Sequence, residues 1–559
     1  MSRRTAASLC TLLLALTSSA AGGAEWSVER VRAILAERID KHEQSVGIAV
    51  GLIDEKGRTV VSYGQLSKSD EREPDGKTVF EIGSISKVFT SILLADMVLR
   101  EKVRLDDPVQ KFLPESVRVP SRDGAVVTLY HLSTHTSGLP RMPDNFAPAD
   151  PTNPYADYTV EQMYAFLARV ELTGRPGAKA AYSNYGAGLL GHILALQAGT
   201  SYETLVRERI ALPLKMTDTV ITLTPKLEER LAQGHDEALA PVANWDIPTL
   251  AGAGALRSTV DDMLLFLAAN LGWTESPIAR AIEESQRPRE EFSGPEMRIG
   301  LGWLIRKGDR STIYWHNGGT GGYHSFAGFD KEHKRGVVVL SNSTHDIDDI
   351  GFHLLAPELP LAKFKTASEA AEFDPEIFDD YVGRYQLAPG FILSVTREGG
   401  RFYVQATGQE MLEVFPESDG RFFATAVEAA INFVRGENGK VSHLVLHQGG
   451  VDQKAEWLDA AVPAVPKTVS LPEATLDKYA GRYELLPGFV ITIRREGSKL
   501  LAQATSQPEF EIFAESEREF FFRVVDAQIT FHTDEQGNTE SLTLHQAGRD
   551  MPAKRLPAP

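Results

Sequence analysis

The chain has 559 residues, more than one ordinary domain, and its 42% hydrophobic and 24% charged content is that of a folded protein, which excludes wholesale disorder. A formal charge of −18 disfavours nucleic acid or an anionic membrane as partner. Cys10 is the one cysteine, so the rest of the chain has no disulfide and no thiolate metal site.

The first 24 residues differ in composition from the rest of the chain. Arg3 and Arg4 precede an apolar stretch over 6–16, and small residues run from Thr17 to Ala24. Basic end, short apolar core and small residues read as a secretory signal peptide, cut near 20–24. Its apolar core, about 11 residues, is too short to span a bilayer. Losing Arg3 and Arg4 takes the charge to −20, and Cys10 goes with them. The expectation is an exported protein, periplasmic or secreted, with no transmembrane span in the mature chain.

Next come a helical pattern over 28–44 and a hairpin, 47–53 and 59–63, around Asp54-Glu55-Lys56-Gly57. An apolar run with helical spacing follows Lys87, and another covers 188–197. Strands are expected at 312–316, 324–330 and 336–341. The economical architecture for residues 25–365 is one antiparallel sheet built from both ends of the segment, packed by helices, with a mostly helical lobe facing it. A site would lie between the two.

The remainder is a repeat. Tyr381-Val382-Gly383-Arg384-Tyr385 returns as Tyr479-Ala480-Gly481-Arg482-Tyr483, 98 residues later, and Leu446-His447-Gln448 returns as Leu544-His545-Gln546 at the same offset. Alternating segments such as 391–395 and 489–493, separated by Glu-Gly, Pro-Gly and Asn-Gly turns, predict two small all-β antiparallel barrels at 373–460 and 471–557. The linkers are 360–372 and 461–472. The repeated aromatics Phe422-Phe423 and Phe520-Phe521-Phe522 read as barrel core.

Three stretches could carry chemistry. In Phe80-Glu81-Ile82-Gly83-Ser84-Ile85-Ser86-Lys87, Ser84 and Lys87 stand three apart, one helical face, within reach of each other. Tyr182-Ser183-Asn184 precedes the 188–197 helix. His316-Asn317-Gly318-Gly319 follows the 312–315 strand. Each has a plain alternative: a cap and a solvated lysine, a cap with a packed tyrosine, a glycine turn. Their order and placement together favour a serine nucleophile with an amine base.

On these residues, segment 25–365 resembles the penicillin-recognising serine hydrolases: class C β-lactamases, D-alanyl-D-alanine carboxypeptidases, D-aminopeptidases and related esterases. The stretch from Phe80 to Lys87 fits the class C signature, and Leu132 to Pro140 and Gly252 to Thr259 are family-like as well. The resemblance implies an α/β (α+β) domain whose sheet is flanked by helices. It implies that Ser84 forms the acyl-enzyme, that Lys87 and Tyr182 exchange its proton, and that Asn184 binds the substrate amide. His316, Asn317, Gly318 and Gly319 would also contact substrate, with the N–H groups of Ser84 and Gly319 facing the oxyanion. Neither cofactor nor metal is implied, and His131, His135 and His235 read as loop or packing residues. The substrate that the resemblance implies is a small-molecule β-lactam, peptide or ester.

One departure bears on substrate. The third motif is His316-Asn317-Gly318 where β-lactamases present Lys-Thr-Gly, whose ammonium engages a carboxylate. D-aminopeptidase-like and esterase-like relatives carry His-x-Gly there, so a D-aminopeptidase or small-ester esterase with slow β-lactam turnover stands as an alternative, and a penicillin-binding sensor or cell-wall-binding protein stands as one from another class. Arg257 reads as a surface or helix-capping residue.

Overall fold

The computed structural model describes residues 26–556 except 151, 295, 365–368, 389–390, 407–410, 426–428, 437–438, 449–450, 459–467, 470, 487–488, 505–508, 523–526, 535–537 and 547–548. The expected signal peptide at 1–24, most of the linker at 461–472 and the two Pro-Gly turns therefore lie outside the described residues. Among the described residues no helix is long and apolar enough to cross a membrane.

Helix α1 is Val28–Ala36, capped by Ser27, whose side chain accepts from Arg30 N. It passes into a wider π-type turn, Glu37–Lys41, so the helical run ends short of the expected residue 44. Strands β1 (Gly47–Asp54) and β2 (Gly57–Gly64) form the expected hairpin. Asp54 Oδ1 accepts from the N–H groups of Lys56 and Gly57, which tightens the turn. Strand β3 (Val79–Glu81) leads through the 3₁₀ turn Gly83–Ile85 into helix α2 (Ser86–Leu99), whose residues 86–97 are all buried. Helix α3 is Asn184–Ala198. Strand β4 (Arg257–Thr259) pairs with β3, and helix α4 (Val260–Asn270) follows it.

Strands β5 (Glu290–Glu291), β6 (Met297–Ile299), β7 (Leu304–Lys307), β8 (Thr312–Gly319), β9 (His324–Asp330) and β10 (Arg335–Ser341) complete an eight-stranded sheet of order β2-β1-β10-β9-β8-β7-β6-β5. The N-terminal hairpin thus docks on the C-terminal strands, as the sequence predicts. Helix α5 (Asp348–Leu355) ends the domain.

Strand alternation sorts the sheet into two faces. Ile48, Val50, Leu52, Phe326, Val337 and Val339 pack with Val31 and Leu35 of α1 and Ile350 and Leu354 of α5. Ala49, Ala327, Phe329, Val338 and Leu340 join the larger core with Phe89 of α2 and Phe266 of α4. The candidate site belongs to this second face.

The tail forms two closed eight-stranded barrels, running from Gly383–Ala388 to Val451–Leu458 and from Gly481–Leu486 to Arg549–Arg555. Phe422 and Phe433 fill the first and Phe520 and Phe531 the second. Phe423 and Phe521 do not. Neighbours in a strand face opposite sides, and these two pair instead with Phe415 and Phe513. In each barrel a tyrosine hydroxyl closes the entry by donating four residues back: Tyr385 to Tyr381 O and Tyr483 to Tyr479 O, both at 2.7 Å.

Candidate active site

The site is assembled where the turn before α2 meets the end of β8. Gly83 adopts φ +47°, and a Cβ there would lie 2.8 Å from Gly319 N. At Gly318 a Cβ would lie 2.1 Å from Ile82 O and 2.8 Å from Ser84 N. Only glycine lets two backbones come this close. Ser84 sits at the start of the helical run, where N–H groups have no partner within the helix. Ser325 Oγ on β9 ties the two segments, donating to Ile82 O at 3.0 Å.

Lys87 Nζ donates to Ser84 Oγ at 2.8 Å and to Ala253 O at 2.6 Å. Burial drives its pKa well below the ordinary 10.5, and the Arg141 charge adds to the shift. The aromatic ring of Tyr182 lies 4.9 Å from Lys87 Nζ. Tyr182 shares a hydrogen bond with Ser84, yet burial pushes its pKa up to about 12. The tyrosine therefore rests protonated, and the lysine is the group poised to be an unprotonated base.

Tyr182 is held from several sides. His135 stacks on it with centroids 4.6 Å apart, and His135 Nδ1 accepts from Ser183 N at 3.2 Å. Ser183 caps α3, accepting from Gly186 N, and its hydroxyl donates to Pro140 O at 2.7 Å. Helix α3 starts four residues earlier than expected because of this cap, which brings Asn184 into its first turn. Asn184 is half-buried, with its amide directed to Met142 Sδ at 3.8 Å.

His316 is buried, and its Nδ1 lies 2.6 Å from the Asn317 carbonyl, which can only accept, so that nitrogen carries the proton. Burial, reinforced by Lys87, brings its pKa down to about 3. His316 is neutral near pH 7 and does not replace the ammonium of a Lys-Thr-Gly motif. Asn317, expected among the substrate contacts, is a correction. It pairs in register with Phe326, whose side chain packs toward α1 and α5, and its own amide donates to Asp348 Oδ2 at 2.6 Å on that far side.

Asp348 also meets His324 Nε2 at 3.2 Å, and with Asp346 these groups place ligand atoms within 4.8 Å of one another. They lie on the α5 face of the sheet, away from Ser84, and act there as an ion-pair and hydrogen-bond network behind β8. His131 closes a capping box with Thr128, and His235 bonds Asn342 O at 3.0 Å. Arg257 is neither a surface nor a capping residue. It is buried and paired with Glu81.

The beta-lactamase family model matches residues 31–356, more than half of the chain. The chain belongs to the beta-lactamase family. It is a serine hydrolase of that family, with a serine β-lactamase-like fold followed by two barrels. A second model, described as a domain of unknown function (DUF3471), matches 367–460 and 465–555.

Among relatives, the D-alanyl-D-alanine-carboxypeptidase/endopeptidase AmpH of Escherichia coli (strain K12) is 31% identical over 349 residues, covering 60% of this chain and 85% of that one. Penicillin-binding protein 4* of Bacillus subtilis (strain 168) is 29% identical over 428 residues, covering 70% and 91%. A beta-lactamase of Escherichia coli (strain K12) is 25% identical over 373 residues, covering 60% and 94%. The crystal structure of a beta-lactamase/D-alanine carboxypeptidase from Yersinia pestis superposes with TM-score 0.52 at 26% identity, covering 60% of this chain and 99% of that one.

Of two residues that lie against Tyr182, His135 is a packing residue as the sequence suggests, and Arg141 is one that sequence reading passed over. His135 is in the family-like stretch from Leu132 to Pro140, but nothing local says that it stacks on Tyr182. Arg141, just past that stretch, lies with its guanidinium 5.1 Å from the Tyr182 ring centroid.

Proposed function

We propose that the protein hydrolyses D-alanyl-type peptide bonds through an acyl-enzyme on Ser84, and that β-lactams acylate the same serine but leave it slowly. The observation that carries this reading is the 2.8 Å contact between Ser84 Oγ and a Lys87 amine whose buried setting favours the neutral form. With the amine neutral, the Ser84 O–H donates to Lys87 Nζ. The oxygen attacks the carbonyl carbon while the proton passes to the nitrogen. Negative charge developing on the carbonyl oxygen faces the N–H groups of Ser84 and Gly319, which the glycine contacts bring together.

The C–N bond then breaks. Tyr182, protonated at rest, gives its proton to the departing nitrogen and recovers one from Lys87. Water attacks the ester by the reverse proton path and frees Ser84. Asn184 and the backbone of Gly318 and Gly319 border the acyl group. A neutral His316 supplies no cation for a substrate carboxylate, which a β-lactam and a D-alanyl-D-alanine peptide both carry; the peptide reading is supported by the likeness to the D-alanyl-D-alanine-carboxypeptidase/endopeptidase AmpH.

In this reading the chain is organised as a leader at 1–24, a catalytic domain at 25–365 and barrels at 373–460 and 471–557, with the mature protein exported. Matches of the two family models to 31–356 and to the repeat support that division.

The test uses purified protein lacking residues 1–24, with Ser84→Ala alongside. Release of D-alanine from a D-alanyl-D-alanine peptide and a penicillin adduct by intact mass, both lost in the variant, are the expected results. Rapid turnover of a chromogenic cephalosporin without a lasting adduct would overturn the substrate assignment. Turnover retained by Ser84→Ala would overturn the nucleophile.

A further inference from the structure

The third motif presents no charge to a substrate: His316 is neutral, and the Asn317 side chain is on the other face of the sheet. Lys87 is buried behind Ser84, and Arg257 is committed to Glu81. Arg141 is different. Its side chain is exposed, and its charge reaches Lys87, Tyr182, His135 and Tyr155, so it stands over the middle of the site.

Its backbone is fixed. Arg141 O accepts from Asn184 N at 3.0 Å and from Tyr185 N at 3.2 Å, which anchors it to the first turn of α3. The neighbouring Met142 Sδ receives Tyr155 OH at 3.6 Å and the Asn184 amide at 3.8 Å. No carboxylate of the described residues pairs with the guanidinium, and its nearest acid in the chain, Asp144, is held by Arg169 through two hydrogen bonds. The guanidinium instead lies over the face of Tyr182, an attraction worth less than an ion pair with a bound anion.

We infer that Arg141 is a specificity-determining residue of this site, binding a carboxylate carried by the substrate in place of the cation missing from the third motif. The inference rests on the acyl-transfer reading above and deepens it: the substrate class becomes peptides with a free carboxylate near the scissile bond. That carboxylate is the C terminus of the leaving residue or an acid on the acyl side, and the same guanidinium chemistry serves both.

The experiment compares wild type, Arg141→Gln and Arg141→Lys on matched peptides. One arm sets a D-alanyl-D-alanine peptide against its C-terminal amide. The other sets a succinyl cap against an acetyl cap on the acyl side. Ratios of kcat/KM within each arm cancel any effect of Arg141 on Lys87, which both members share.

The expected result is that Arg141→Gln lowers the acid-over-neutral ratio by about ten- to hundred-fold in one arm, the size of a charge-assisted hydrogen bond. Arg141→Lys should recover part of it, and the arm that responds names the carboxylate. Ratios within about two-fold of wild type in both arms would overturn the assignment of Arg141 while leaving the acyl-transfer reading intact. Peptide hydrolysis undiminished in Ser84→Ala would bring down that reading and the inference together.

Discussion

Glu81 Oε1 and Arg257 Nη2 meet at 3.1 Å, with side-chain exposures of 4% and 6%, directly opposite one another in the β3–β4 ladder and three residues before Ser84. The guanidinium also donates to Trp245 O at 2.9 Å, so one buried cation joins the strand before the Ser84 turn to the loop beside it. Removing one member leaves the other charged group buried without its partner. Arg257→Met is expected to destabilise the front domain by about 3–5 kcal/mol, measured by urea unfolding of the catalytic domain's tryptophan signal. A loss under about 1 kcal/mol would mean that water replaces the pair at little cost.

Lys87 gives a prediction with a definite sign. Its pKa is lower folded than unfolded, so between that depressed value and 10.5 the unfolded chain binds more protons and stability rises with pH. Lys87→Met should therefore be inactive yet more stable than wild type at pH 7, with the gap closing above pH 10. Thermal unfolding at pH 7 and pH 10.5 checks this. A variant less stable at both would show that the Ala253 and Ser84 hydrogen bonds outweigh the cost of burying the amine.

His316 should be silent across the physiological range. With its folded pKa near 3 and an unfolded value near 6.5, it contributes stability that is complete above 6.5 and is lost as pH falls toward 3. An NMR titration should show no inflexion from the His316 ring between pH 5 and 8. A midpoint near 6.5 would restore a charged third motif.

Gly318 is predicted to tolerate no side chain. A Cβ 2.1 Å from Ile82 O must push β8 away from the Ser84 turn. Gly318→Ala should cut kcat/KM by about a hundred-fold or more, the scale set by losing one oxyanion donor, with the far-UV spectrum unchanged. Normal rates would mean that the oxyanion is held elsewhere.

Asn317 separates a contact from a support. Because its amide bonds Asp348 on the far face, Asn317→Ala should lower the melting temperature, by about 1 kcal/mol of stability, while leaving the acid-over-neutral substrate ratios alone. A changed ratio would return Asn317 to the substrate side.

Much of the fold is legible in the sequence, for identifiable reasons. The 98-residue repeat needs only self-comparison, and each barrel follows from alternation between turns. The hairpin, the C-terminal strands and the Ser84–Lys87 pair are local patterns, so sequence spacing carries them directly. Phe422 and Phe423 show where local reading fails, since composition makes both core but the pleat sends them to opposite sides.

From sequence alone came the Ser84–Lys87 pair proposed as nucleophile and base, the order of the three motifs and the expectation of two barrels after the front segment, because these depend on residue type and near-neighbour spacing. Tertiary structure alone decided the charge state and the facing of the third motif. His316 is neutral because the folded protein strips it of water, and Asn317 faces away because its place in the β8–β9 register puts it on the α5 side. Arg141 and His135 come to Tyr182 from more than 40 residues away in the chain, a proximity that no local pattern encodes and that only packing of the loop after Leu132 against α3 brings about.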